Sequence, residues 1–181
     1  SADEALRELE ERNRKVNEDV KREDERLHRE DREVNKRIRE EDKKLHKTLR
    51  DVLEELRKKV SEEELKKIEE RLKRVNDTNE DLHRRNEEKV RRLNEENRKK
   101  HEENEKKSRD LKEEFERDKD GDERRVEKLL RRYKKVLDEV KRELKESLDK
   151  AERVTRKSED DARRSLEEIK KEIEEVRERI R

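Results

Sequence analysis

The sequence predicts an all-α fold: a single-chain antiparallel three-helix bundle of long, nearly straight helices. Three observations carry the prediction. The chain is 65% Asp, Glu, Lys and Arg, with no Pro and one Gly in 181 residues, so helix formers dominate and interior breakers are missing. Apolar residues recur at steps of three, four and seven through three runs of similar length, which is amphipathic helical spacing. The pattern also repeats every 18 residues. Eighteen residues close about five turns of an α-helix. A seven-residue repeat would drift and impose a left-handed supercoil, whereas this period implies straight helices lying side by side.

The first helix is expected over about residues 2–59, roughly 85 Å at about 1.5 Å per residue. Its apolar stripe is Leu6, Leu9, Val16, Val20, Leu27, Val34, Ile38, Leu45, Leu49, Leu53, Leu56 and Val60. A polar stripe runs beside it: Asn13, Asn17, Asp24, His28, Asp31, Asn35, Asp42 and His46. The repeat links the two, since Val16-Asn17 returns as Val34-Asn35, Asp24 as Asp42, and Leu27-His28 as Leu45-His46.

Ser61 followed by Glu64 reads as a capping box that starts the second helix, with Val60 and Leu65 placed to close a hydrophobic staple. That helix is expected over about 62–119. Its inward positions include Val75, Leu82, Val90, Leu93, Leu111 and Phe115, interleaved with Asn76, Asn79, His83, Asn86, Asn94, Asn97, His101, Asn104 and Ser108. Here Asn76, Asn79, His83 and Asn86 recur as Asn94, Asn97, His101 and Asn104. Gly121 is expected to end the helix with a positive φ, and Asp122 to cap the next. The third helix is expected over about 122–180, with a stripe from Val126 to Ile180 that admits Ser147, Thr155, Ser158 and Ser165. Very short connections make successive helices antiparallel, so residues 1–181 are expected to form one bundle.

This topology sets a register. A fold at residues 60 and 61 pairs positions whose numbers add to about 121. Asn13 then faces Ser108, Asn17 faces Asn104, Asp24 faces Asn97, Asn35 faces Asn86, and Asp42 faces Asn79. An offset of about 120 brings Thr155 level with Asn35 and Asn86. By the same offset Ser147 lies level with His28 and Asn94, Ser165 with His46 and Asn76, and Ser158 with His83. All nine Asn and all four His are placed on inward faces, so these groups are expected to form buried hydrogen-bond networks. Asn both donates and accepts, neutral His does one of each, and Ser or Thr completes a small layer. Such a network adds little net stability but penalises wrong registers, because slippage leaves buried groups unpaired.

Other chemistries are expected to be absent. The 59 basic and 58 acidic side chains leave a net charge of +1, without the basic face that a nucleic-acid binder presents. No apolar run approaches the roughly 18 residues of a membrane span, and no signal-peptide pattern is present. Without cysteine there is no thiolate metal site or Cys nucleophile. Asp24-His28-Asp31 and Asp42-His46 carry metal-ligand spacing, but the groups opposite are mostly Asn, so no metal site and no cofactor are expected. Ser147 and Ser165 lack free backbone N–H groups for an oxyanion, so no enzyme activity is expected. Buried neutral His would destabilise the fold as pH falls through about 5 to 6.5, while neighbouring Asp would oppose this by favouring the charged ring.

The strict 18-residue repeats, equal helix lengths, minimal loops and Glu/Lys/Arg surfaces resemble a de novo designed straight helical bundle. The layered Asn, His, Asp and Ser resemble the programmed hydrogen-bond networks of such bundles. The resemblance covers the whole chain. It implies a soluble synthetic scaffold without enzyme activity, cofactor or natural compartment, made in a bacterial cytoplasm. A monomer that requires no partner is expected. The alternative is an interaction module whose polar and apolar faces are completed by another copy or by a partner helix, possible pH response through His included.

Overall fold

A computed structural model describes residues 1–180, with Ile180 by its backbone alone. The expected place of the Ile180 side chain in the third stripe therefore lies outside the described residues. Three long helices make up 95% of the chain, and no strand occurs among the described residues. They are α1 (Ala2–Arg57), α2 (Glu62–Asp118) and α3 (Glu123–Ile180). α3 packs against both α1 and α2, which makes the protein a three-helix bundle.

Each helix begins on a hydrogen bond that its sequence provides. The Glu4 N–H donates to Ser1 Oγ at 3.3 Å. The Glu64 N–H donates to Ser61 Oγ at 3.2 Å, half of the expected capping box, and Val60 and Leu65 both pack on the same apolar core. The Arg124 N–H donates to Asp122 Oδ1 at 3.2 Å. Gly121 corrects an expectation. It has no positive φ, because the turn closes with a Gly121 N–H to Asp118 carbonyl bond of 3.0 Å. A Cβ added there would meet that carbonyl oxygen at 3.2 Å, a tight approach but not a forbidden one.

The chain divides into two compact units, and every helix contributes to both. Ser1–His28 and Arg91–Arg153 form unit 1, while Arg29–Val90 and the chain from Val154 onward form unit 2. Unit 2 has one contiguous core, in which Leu56, Leu166 and Ile173 are sealed among Ile38, Val52, Ile68, Leu72 and Ile169. Unit 1 has two smaller clusters. One holds Leu6, Leu111, Phe115, Val126, Tyr133 and Leu137. The other holds Val20, Val140 and Leu144. Phe115 and Tyr133 are core fillers at 1% and 3% exposure. Between Leu93 and Leu111, the only buried residue of α2 is Asn104.

Candidate functional site: buried polar networks

The most complete polar assembly lies in unit 2 and uses all three helices. Asn79, fully buried on α2, stands at its centre. Its Nδ2 donates to Asp42 Oδ1 on α1 at 3.3 Å, and its Oδ1 accepts from the Ser165 hydroxyl on α3 at 2.6 Å. One turn along α1, His46 Nδ1 lies 2.7 Å from the Asp42 carbonyl oxygen and 3.4 Å from the Asp42 carboxylate. His46 Nε2 lies 2.7 Å from Asn76 Oδ1 on α2. Helical spacing explains the grouping, because Asp42 and His46 are i, i+4 neighbours on one face, as Asn76 and Asn79 are at i, i+3. Leu45, Leu49, Leu72, Val75, Ile169 and Ile173 close around a cavity of about 10 Å³ beside His46 and Asn76. That is roughly the space of one water molecule.

At His46 the local electrostatics favour the second of the two opposing effects expected of a His beside Asp. Burial penalises the His46 charge. The Asp42 carbonyl, the Asp42 carboxylate, the Asn76 oxygen and Glu80 together outweigh that penalty and hold its pKa above the ordinary value. Protonation of His46 therefore favours the fold, opposite to the acid destabilisation expected of a neutral buried ring.

Other expected contacts are met in part. Asn13 Nδ2 donates to Ser108 Oγ at 3.5 Å in unit 1, the expected pair. In unit 2 Asn86 is buried, but its Nδ2 donates to the Ser158 backbone carbonyl at 3.0 Å rather than joining the side chains of Asn35 and Thr155. Its Oδ1 is buried without a hydrogen-bond partner. Asp24 and His28 meet at 3.4 Å through Asp24 Oδ2 and His28 Nε2, while Asp24 Oδ1 is buried and unpartnered. Asn104 is buried with no partner for its Nδ2, so no bond from that nitrogen reaches Asn17. Asp31, Thr155 and Ser158 are buried, and Asn17, Asn35, His83, Asn97, His101 and Ser147 are half-buried.

Asn94 is exposed, which corrects its placement in a layer with His28 and Ser147. Its repeat-mate Asn76 shares the inward direction with Val75, both being half-buried. Neighbours on a helix diverge by about 100°. Where Leu93 turns fully inward, Asn94 is carried out to solvent.

Sequence reasoning missed Glu159, which is only 3% exposed. Arg156 donates to its carboxylate at 3.1 Å and also pairs with Glu30 of α1. Burial raises the Glu159 pKa, Arg156 opposes the shift, and the charge of Asp31 on α1 adds to it. The signal was its spacing, four residues after Thr155 and three before Ala162, both on the inward face. Interhelical ion pairs were not foreseen individually. Arg71 of α2 reaches Glu172 at 2.8 Å and Glu175 at 2.6 Å on α3, and Arg132 of α3 grips both Glu114 oxygens of α2 at 3.1 and 2.9 Å.

Among the described residues, no group of three or more His, Asp or Glu could hold a metal ion, and no helix is long and apolar enough to cross a membrane. No large hydrophobic side chain is exposed among them. No protein-family model, no curated protein and no solved structure matches the chain.

Proposed function

We propose that the chain is a de novo designed monomeric scaffold whose buried polar groups determine which helix lies beside which, and at what height. The observation that carries this reading is the connected set Ser165–Asn79–Asp42, extended through His46 to Asn76. Hydrogen bonds are directional and short-ranged, so a slip of even one turn would strand the fully buried Asn79 amide. Apolar contacts tolerate such a slip better, because they lack direction. The lack of exposed large hydrophobics among the described residues supports a monomer over an interaction module.

The test is a triple variant, Asp42→Leu, Asn79→Leu and Ser165→Ala. Replacing every partner by apolar groups is near neutral or stabilising, by up to about 4 kcal/mol. The variant is therefore expected to resist denaturant at least as well as the parent. It is also expected to show doubled amide resonances or a mixture of masses, where the parent shows one set and a mass near 22.6 kDa. A variant with one resonance set and one mass would sink the register role. A parent of higher mass would favour the interaction module.

A further inference from the structure

We propose that His46 is an imidazolium clamp between α1 and α2, holding the two helices together when protonated and releasing Asn76 when it loses its proton. The geometry around the ring supports this. His46 Nδ1 faces a backbone carbonyl oxygen at 2.7 Å, which can only accept, so Nδ1 carries hydrogen. His46 Nε2 faces Asn76 Oδ1 at 2.7 Å, also an acceptor. Both nitrogens donate at once only in the cation. In the neutral ring the Nε2 lone pair would oppose the Asn76 oxygen, and the contact survives only if the amide turns over to present its NH₂ group. The proton lost passes to solvent, since the His46 side chain is 36% exposed.

Negative charge reaches the ring from α1 and α2. Asp42 stands on α1 at 3.4 Å and Glu80 acts from α2. From α3, Glu172 lines the same small cavity, its charge shared with Arg71 of α2. The clamp does not depend on the register role, because it rests on one ring and its two acceptors.

The test is a histidine side-chain NMR titration of the full chain. Both His46 ring nitrogens are expected to show imidazolium shifts near pH 6.5, with a midpoint above the ordinary histidine value of about 6.5. The Asn76→Leu variant is expected to titrate lower than the parent. A neutral tautomer at that pH, or a parent midpoint at or below it, would overturn the proposal whether or not any variant folds. Coupling to the helix junction has its own readout. The parent's urea midpoint is expected to fall between about pH 6 and about pH 8, and to fall less in His46→Gln. An equal fall in both proteins would refute the clamp.

Discussion

Glu159 shows how far one side chain departs from its neighbours in sequence. It stands in a run of charged residues, yet it is among the least exposed groups of α3. Burial raises its pKa, and the Arg156 charge recovers only part of the shift. A carboxyl group whose folded pKa is raised stabilises the fold fully below its unfolded value of about 4.3, and loses that contribution as pH rises through the folded value. Glu159→Gln keeps the shape and removes the charge. Measured by urea midpoints at about pH 4.5 and about pH 7.5, the variant is expected to gain on the parent at the higher pH. An equal difference at both values would mean that the carboxyl is not shifted. His46 has the same sign from a cation, through a raised pKa whose benefit fades as pH rises above the ordinary histidine range. The two groups together oppose the usual loss of stability in acid.

At the scale of the helix, ends were more legible than middles. Ser61 and Asp122 cap α2 and α3 as their residue types demand. Ser61→Ala is expected to cost about 1 kcal/mol, the usual value of an N-cap, read from the shift in a chemical denaturation curve. Gly121→Ala is expected to fall within about 1 kcal/mol of the parent, because reduced freedom of the unfolded chain offsets the contact with the Asp118 carbonyl. A loss of several kcal/mol would mean that the turn needs a positive φ in solution. The i, i+3 and i, i+4 pairs along the outer faces, such as Arg14 with Glu11 and Glu18, contribute little individually.

At the scale of the whole molecule, apolar burial is uneven although the repeat is regular. Unit 2 has one contiguous core, whereas unit 1 has two clusters and an α2 stretch in which Asn104 alone is buried between Leu93 and Leu111. Local opening follows the density of apolar contacts. Amide hydrogen exchange is therefore expected to be faster over residues 94–108 of α2 than over residues 65–75 of the same helix, and slowest around Leu166 and Ile173. Uniform protection along α2 would show that polar layers hold a helix as firmly as leucines do.

The sequence by itself determined the number of helices, their ends to within about two residues, and the pairing of α1 with α2. These follow from periodicity and capping, which are local and repeat along one chain. Asn13 with Ser108 and Asp42 with Asn79 were readable for that reason, since antiparallel register is arithmetic once the turn is placed. Only the tertiary structure decided which polar groups close a network. Asn76 bonds His46 while its repeat-mate Asn94 lies in solvent, and Asn86 takes a backbone carbonyl instead of a side chain. The repeat assigns both copies one helical angle to within a few tens of degrees, but a hydrogen bond needs its partner within about 3 Å and nearly in line. That tolerance is finer than periodicity can resolve, and the neighbouring helices supply the difference.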